Sequence, residues 1–276
     1  MNGLSVCSIE LTSRCNKNCW CCGRRQLEKE HPELCNWGDM PLDMVELIAK
    51  QLPWGIVVQM HNSGDPLIYP YLKTALSMFS RQIRCFNTNG KLLLEQADNI
   101  IDNMDTIAIS VIENDQESEE QYRIVKEFLK IKGERKPRMI YRLLGDVSLQ
   151  WENFHRSGYD EYRRTRWEKL PGLIATRCLH NSMGSFEYSR NPTIPEIGIC
   201  LDLLSHLSID RFGDIFTCVR MNPHKLNFLG NVKIQSIAEI WNSIERKELI
   251  RQHIDGRRDE IELCKKCQFF GCPTSY

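Results

Sequence analysis

Three cysteines near the start of the chain, Cys15, Cys19 and Cys22, have the type and spacing needed to bind a metal cluster. They follow the pattern C-x3-C-x2-C in a polar stretch, which suits metal ligands better than a disulfide framework. Sulfur ligands favour zinc and iron–sulfur clusters, and a [4Fe–4S] cube has four irons to ligate. Three cysteines would leave one iron without a protein ligand, and that iron could bind a cofactor. A zinc site and a chance group of buried thiols are the alternatives.

The stretch around these cysteines, residues 10–22, resembles the signature of the radical S-adenosylmethionine (SAM) superfamily. In that superfamily the open iron of a [4Fe–4S] cluster chelates the methionine end of SAM. One position departs from the pattern, because the family usually has an aromatic residue just before the third cysteine, near the adenine. Cys21 occupies that position here, and Trp20 lies one residue earlier. Cys21 could replace Cys22 as the ligand, but we expect Cys22 because C-x3-C-x2-C is the commoner spacing.

Alternating strand and helix patterns predict the scaffold that positions this loop. A first strand at residues 4–11 runs into the cysteine loop, and residues 23–40 are polar, which predicts a long loop. Further strands are predicted at residues 56–60, 83–86, 106–111 and 138–144, and helices at 41–48, 71–80, 92–103 and 118–131. This alternation predicts an α/β fold with a parallel sheet that curls into a full or partial barrel. The resemblance implies the partial (β/α)6 barrel of radical SAM enzymes.

The sequence divides into a core, a connecting stretch and a small C-terminal part. We expect residues 1–150 to form the radical SAM partial barrel core, 151–199 the end of the barrel and a linker, and 200–276 an auxiliary-cluster domain. The connecting stretch has weak periodicity and a basic run, Arg163, Arg164 and Arg166. That run predicts a solvated helix face or, alternatively, a docking site for an acidic peptide or a phosphate.

The bulk composition argues against several classes of protein. Lys and Arg together number 36, as do Asp and Glu, so the formal net charge is zero and no global field attracts nucleic acid. The sequence shows no signal peptide and no apolar run of membrane-spanning length. Thirteen cysteines without an export signal indicate metal ligands or buried thiols in a reducing cytoplasm. We therefore expect a cytoplasmic protein that binds neither nucleic acid nor membrane.

A short turn after the second predicted strand, Gly64-Asp65-Pro66, is the next candidate for the site. Taken alone, it is an ordinary β-turn sequence. Because it lies one strand after the cysteine loop, it resembles the superfamily's Gly-Gly-Glu-Pro turn, with Ser63 in place of the first glycine and Asp65 in place of glutamate. The resemblance implies that the carbonyls and the carboxylate of this turn hold the amino group of SAM.

Polar residues at the ends of the later strands complete the predicted SAM site. Asn87 and Asn89 end the third strand and Ser110 ends the fourth, and in the superfamily such residues contact the SAM ribose and carboxylate. The alternative is that Asn89 belongs only to a turn. On the fifth strand Tyr141 and Arg142 are both candidates for the same cavity, and a period of two does not say which of them points inward.

Four cysteines in the last third of the chain form a second candidate metal site: Cys200, Cys218, Cys264 and Cys267. Two alternating runs around Gly213 predict a β-hairpin, and an amphipathic helix is expected from Ser236 onward. A structural zinc site is the alternative, because Cys-x2-Cys is also a zinc knuckle.

The order of these C-terminal elements resembles the SPASM/twitch extension of radical SAM enzymes, which carries auxiliary [4Fe–4S] clusters. After Cys267 only Cys272 remains, so the resemblance implies the shorter twitch form with one auxiliary cluster. The layout is similar to that of the 2-deoxy-scyllo-inosamine dehydrogenases. The resemblance assigns the four cysteines as ligands of this cluster, with Cys272 as an alternative ligand.

The resemblance also implies the cofactors and the reaction. It implies two [4Fe–4S] clusters and SAM, which is cleaved reductively to a 5′-deoxyadenosyl radical that abstracts hydrogen from an unactivated C–H bond. A fully ligated auxiliary cluster would accept the electron left on the substrate, so a small sugar or aminocyclitol would be oxidised. The expected partner is an external one-electron reductant of the flavodoxin or ferredoxin type. Candidate proton acceptors are Asp146, Glu187, His61 and Tyr141.

Two other functions remain open from the sequence. One is a maturase that crosslinks, epimerises or cleaves a ribosomally made peptide. Such enzymes often carry an N-terminal leader-binding domain, which we do not expect here because the first strand begins at residue 4. The other is a non-catalytic iron–sulfur or zinc-binding protein.

Overall fold

The structure is a computed structural model, and it describes residues 1–20, 22–112, 115–144, 166–176, 199–219, 222–265 and 267. Within these ranges the strands are β1 (Val6–Ile9), β2 (Val57–Gln59), β3 (Ile83–Thr88), β4 (Thr106–Ile112), β5 (Arg138–Leu144), β6 (Leu173–Thr176), β7 (His206–Ile209), β8 (Asp214–Phe216) and β9 (Phe228–Asn231). They form one sheet in the order β6-β5-β4-β3-β2-β1-β7-β8-β9. From β6 to β7 neighbouring strands are parallel, and β8 and β9 are antiparallel additions.

Helices connect the parallel strands, which is the alternation that the sequence predicts. Among the described residues, the α-helices are α1 (Gly23–Glu30), α2 (Leu42–Gln51), α3 (Leu72–Met78), α4 (Ala97–Ile100), α5 (Ser118–Lys132), α6 (Leu201–Ser205), α7 (Ile237–Trp241), α8 (Ile244–Ile254) and α9 (Glu262–Lys265). In α5, acidic residues lie in the first turn, basic residues lie in the last turn, and Gly133 ends the helix at a φ of 55°. None of the described helices is long and apolar enough to cross a membrane.

Two helices differ from the sequence prediction. Residues 23–30 form α1 instead of a loop, and the helix buries Arg24 and Leu27. The polar composition hid this helix because one of its buried residues is an arginine. The helix predicted at 92–103 is confined to Ala97–Ile100. Asp102 lies two residues later with a φ of 65°, a left-handed conformation that cannot continue a helix.

The strand register gives the sheet an apolar and a polar face. Phe86, Ile107 and Tyr141 lie on the apolar face and are buried in the main hydrophobic core. We call the opposite side the polar face. Strand register aligns Ser8, Gln59 and Cys85 on it, and Ser110 with Arg142. Asn87 lies on the same face, because it is two positions beyond Cys85 in β3. The expected α/β architecture, with a sheet that can close into a partial barrel, is confirmed.

The C-terminal part continues this sheet, since β7 pairs in parallel with β1. The predicted hairpin is formed by β7 and β8, and Gly213 lies in its turn at a φ of 87°. A Cβ atom on Gly213 would lie 2.8 Å from Val232 and 2.9 Å from the sulfur of Met44, so the hairpin packs closely on α2. The domain boundaries near residues 150 and 200 stay predictions, because residues 145–165 and 177–198 lie outside the described part of the chain.

Candidate SAM and iron–sulfur site

The three cysteines of the predicted SAM cluster lie in one loop between β1 and α1, which we call the cluster loop (residues 12–22). Cys22 caps α1 with an extended backbone, and its N–H donates to the carbonyl of Cys19 at 3.1 Å. All three side chains are half-buried, and the Cys15 and Cys22 thiols are close enough to interact electrostatically. Burial raises the pKa of Cys15, while a hydrogen bond from the Lys17 backbone opposes that rise.

The residues of the cluster loop fit an anionic iron–sulfur cluster. Sulfur is the ligand that such clusters use, and each cysteine of a [4Fe–4S] cube ligates a separate iron. Within the described residues, no three His, Cys, Asp or Glu side chains converge on one point in the way that the ligands of a single ion do. Arg24 places a buried positive charge beside the loop, and its nearest carboxylate, on Glu28, is 3.8 Å away. An anionic cluster would compensate this charge.

Buried charges anchor the cluster loop to the ends of β3 and β4. The ammonium of Lys17 lies 3.0 Å from a carboxylate oxygen of Asp115 and 3.2 Å from one of Glu117. Burial alone would lower the pKa of Lys17, but its hydrogen bonds with these two carboxylates raise it. Beside it, the amide of Asn89 donates to Asn16 Oδ1 at 2.8 Å and lies 3.9 Å from Cys15 Sγ. Asn89 therefore contacts the cluster loop as well as ending β3.

The Gly64 turn packs directly on the cluster loop. A Cβ atom on Gly64 would lie 2.4 Å from the carbonyl oxygens of both Thr12 and Arg14, so only glycine fits. The N–H of Asp65 donates to the same Arg14 carbonyl at 2.8 Å. The fold thus brings the predicted SAM turn and the predicted cluster ligands into one site.

The carboxylate of Asp65 is used inside the protein. The side chain is 4% exposed, and it accepts hydrogen bonds from the N–H groups of Leu67 and Asn89 and from the hydroxyl of Thr88. Burial raises the pKa of Asp65, and these hydrogen bonds oppose the rise. The carboxylate therefore fixes the turn against β3. The carbonyls of Asp65 and Pro66 accept the N–H groups of Ile68 and Tyr69, so the carbonyl of Gly64 is the main candidate of the turn for a ligand.

Ser110 and Arg142 are neighbours on the polar face, because they are paired in register between β4 and β5. Both are half-buried. Desolvation lowers the pKa of Arg142, and among the described residues the structure gives its guanidinium no hydrogen bond or ion pair. A cation without a carboxylate partner beside a serine hydroxyl suits an anionic ligand group such as a carboxylate. On β3, the amide of Asn87 lies 2.9 Å from Nε2 of His61.

The proton acceptors predicted on this sheet are not free groups. Tyr141 is fully buried on the apolar face, and its hydroxyl donates to the carbonyl of Pro171 at 3.0 Å. Its pKa is raised by burial, so the prediction that Tyr141 faces the cavity is wrong, and Arg142 is the one of the two that lies on the polar face. His61 Nδ1 accepts the N–H of Asn87 at 3.2 Å, which occupies the lone pair that a base would need.

Six of the predicted positions lie outside the described residues, namely Cys21, Asp146, Arg163, Arg164, Glu187 and Cys272.

Three of the four predicted auxiliary ligands lie close together. Cys200, Cys264 and Cys267 interact electrostatically with one another, and all three are half-buried. Cys200 caps α6, and Cys264 lies in α9. Burial and the two neighbouring thiols raise the pKa of Cys264 to about 12. Cys218 follows β8 and is half-buried.

Glu10 and Arg24 belong to this site, although the sequence analysis did not select them. Glu10 is 5% exposed and accepts the N–H of Ser63 at 3.2 Å and that of Arg211 at 3.4 Å. It therefore joins the SAM turn to the hairpin between β7 and β8. Arg24 donates to the carbonyl of Ser13 at 2.9 Å. The only sequence signal was their proximity to the cysteines, since both contacts are with backbone distant in sequence.

Comparison with known proteins supports this arrangement. A family model described as the SPASM iron–sulfur cluster-binding domain matches residues 200–268, a range that includes Cys200, Cys218, Cys264 and Cys267. No curated protein matches the chain.

Solved structures resemble the whole chain. BtrN in complex with AdoMet, which is SAM, and 2-DOIA is 18% identical, with a TM-score of 0.58 over 96% of this chain and 92% of that chain. The structure of anSMEcpe with bound AdoMet is 14% identical, with a TM-score of 0.68 over 95% and 86% of the two chains. SuiB of Streptococcus suis, bound to the precursor peptide SuiA, is 15% identical, with a TM-score of 0.59 over 98% and 72%.

The chain shares the fold of these solved structures, which agrees with the fold predicted from its sequence. Its C-terminal part matches a domain that binds iron–sulfur clusters, as the resemblance in the sequence predicts.

Proposed function

We propose that this chain cleaves SAM reductively at a [4Fe–4S] cluster and uses the product to oxidise a small polyol, amino sugar or aminocyclitol. The observation that carries the proposal is the packing of the Gly64 turn on the cluster loop, where a Cβ atom would come within 2.4 Å of two loop carbonyls. This contact joins SAM-binding backbone and cluster ligands in a single site.

The chain's own residues divide the work of holding the cofactors. Cys15, Cys19 and Cys22 would ligate three irons of the SAM cluster. The carbonyls of the Gly64 turn would accept the SAM ammonium, and the buried Asp65 fixes that turn by its hydrogen bonds. On the polar face, Arg142 would bind the SAM carboxylate together with its register partner Ser110. Asn87 and Asn89 lie at the same strand ends and would contact the ribose.

When bound, the cofactors supply an electron and a 5′-deoxyadenosyl radical that removes hydrogen from the substrate. The C-terminal cysteines would then serve a second step. Four protein ligands, Cys200, Cys218, Cys264 and Cys267, would leave no iron open for substrate, which favours an electron-accepting role. An external one-electron reductant would supply the SAM cluster. The substrate would lose one hydrogen atom, one electron and one proton, which together make a two-electron oxidation.

A small-molecule substrate is favoured by the similarity to BtrN, whose solved complex contains 2-DOIA and of which 92% is covered. A second candidate is the maturation of a ribosomally made peptide. It is favoured by the superposition on SuiB, whose structure contains its precursor peptide.

Anaerobically purified protein tests the proposal. We expect about eight irons per chain, since each [4Fe–4S] cluster contributes four, and formation of 5′-deoxyadenosine from SAM under reductant. Zinc without iron would refute the proposal and favour a zinc scaffold, and clusters without SAM cleavage would favour a non-catalytic iron–sulfur protein. Deuterium transfer into 5′-deoxyadenosine from deuterated aminocyclitols or from candidate precursor peptides would separate the two substrate classes.

A further inference from the structure

Arg24 is the buried cation that bridges the cluster loop and the SAM turn. Its side chain is 6% exposed. Nη1 donates to the carbonyl of Ser13 at 2.9 Å and lies 3.5 Å from the carbonyl of Ser63. These two carbonyls belong to the cluster loop and to the residue just before Gly64. One guanidinium therefore contacts both halves of the site.

The rest of the environment of Arg24 compensates its charge only in part. The guanidinium carbon lies 4.0 Å from the centre of the Trp37 ring, which covers one face of the group. Glu28 is 3.8 Å from Nη2 and its side chain is 31% exposed, while Arg25 competes for the same carboxylate at 2.8 Å. The Nε atom is buried and, within the described residues, has no hydrogen-bond partner. A desolvated positive charge whose carboxylate partner is shared and lies 3.8 Å away stabilises negative charge placed nearby.

The nearest site for such negative charge is the cluster loop. Arg24 is two residues beyond Cys22, and the carbonyl of Ser13, to which it donates at 2.9 Å, is two residues before Cys15. A cluster ligated by three thiolates is anionic, and reduction adds one more negative charge to it. Net charge, burial and hydrogen bonding near the sulfurs set the reduction potentials of such clusters.

We infer that Arg24 is a positioning residue with an electrostatic effect: it holds the SAM turn on the cluster loop, and its charge raises the reduction potential of the SAM cluster. This inference rests on the proposed function, because it requires a cluster bound by Cys15, Cys19 and Cys22.

Two substitutions separate the charge of Arg24 from its shape. Arg24→Lys keeps the positive charge but loses the guanidinium that reaches the two carbonyls. Arg24→Gln loses the charge as well as the guanidinium. Arg25→Gln is the matched control, since Arg25 is adjacent, is one-third exposed and is paired with Glu28. The measurements are iron content, the midpoint potential of the EPR signal that changes when SAM is added, and the KM for SAM.

We expect Arg24→Gln to lower the midpoint potential, and Arg24→Lys and Arg25→Gln to leave it close to that of the wild type. Both Arg24 variants should raise the KM for SAM about tenfold, the effect of losing one charged hydrogen bond. If Arg24→Gln fails to bind iron while Arg24→Lys retains it, that result also supports the inference, because it shows that the cluster needs the positive charge at position 24.

An unchanged potential in iron-loaded Arg24→Gln, an equal shift in Arg24→Lys, or loss of iron in both variants would overturn the inference. Failure of the proposed function is a different result, because the wild-type protein itself would then lack the cluster or leave SAM intact.

Discussion

The cluster loop and the C-terminal cysteines are held by contacts of different range. Lys17 in the loop pairs with Asp115 and Glu117, about a hundred residues away in sequence, at the end of β4. In the C-terminal set, Arg258 donates to the carbonyl of Cys267 at 3.1 Å, nine residues away. The cluster loop thus depends on the segment that follows β4, whereas Cys267 is supported from within its own segment, to which only Cys200 and Cys218 come from farther away in sequence. We expect damage to the first to abolish SAM cleavage and damage to the second to stop only the later step.

The largest effect should come from the ligands themselves. Changing Cys15, Cys19 and Cys22 together to alanine should abolish SAM cleavage, because no open iron remains to bind SAM.

Cys264→Ala should leave 5′-deoxyadenosine formation partly intact and stop substrate oxidation, because the electron acceptor is lost. Both products are measured by liquid chromatography with mass spectrometry. Cys7→Ala, at a buried thiol away from both sets, is the control. Equal loss of both activities in Cys264→Ala would show that the C-terminal set is structural.

Gly64→Ala should lower catalytic efficiency with SAM about a hundredfold, the effect of displacing a binding group by about 1 Å. The physical reason is the 2.4 Å contact that the new Cβ would make with two backbone carbonyls. Gly38→Ala is the matched control, since the atoms nearest to its Cβ would be those of the flexible Arg211 side chain, at 3.1 Å and beyond. Steady-state kinetics with varied SAM measures both. Similar kinetics in the two variants would mean that the Gly64 turn does not position SAM.

A third comparison uses Lys17, which supports the cluster loop, and Arg258, which supports the C-terminal cysteines. Lys17→Met removes a buried ammonium that pairs with the half-buried Asp115, so the protein should lose about 2 kcal/mol of stability in urea unfolding. SAM cleavage should fall with it. Arg258→Met should reduce substrate oxidation and spare SAM cleavage. If the two variants lower the same activity, the two regions are not independent.

The smallest expected effect is a loss of stability of the cluster loop at low pH. Hydrogen bonds with Lys91 and Lys17 lower the pKa of Glu117 below its ordinary value of 4.5. Burial alone would raise the pKa of Asp115, but the Glu117 N–H and Lys17 lower it below 3.8. The stabilisation by these carboxylates is therefore complete above about pH 4.5 and is lost as the pH falls through their lowered pKa values. In the metal-free protein, fluorescence of the exposed Trp20 should report this loosening. Lys17→Met should show a smaller change over the same pH range, and an identical pH profile would exclude this network as its cause.

The sequence by itself determined the fold class, and it predicted the cluster ligands and the SAM turn. The motif of Cys15, Cys19 and Cys22 can be recognised in the sequence because cluster ligands on one loop need a fixed short spacing. The alternation of strands and helices can be recognised because the two kinds of element have different hydrophobic periods. The order of cysteines, hairpin and helix after residue 200 likewise predicted the domain that matches residues 200–268.

Only the tertiary structure decided which side chains reach the site. A period of two places Tyr141 and Arg142 on opposite faces, but packing of Tyr141 in the core decides that Arg142 faces the polar side. Asp65 looked like a ligand for SAM, and its burial against β3 makes it a support of the turn instead. Arg24 looked like part of a polar loop, and its contacts with Ser13 and Ser63 exist only when two distant segments meet. Spacing within one segment is encoded locally, whereas burial and partner choice depend on segments that are distant in sequence.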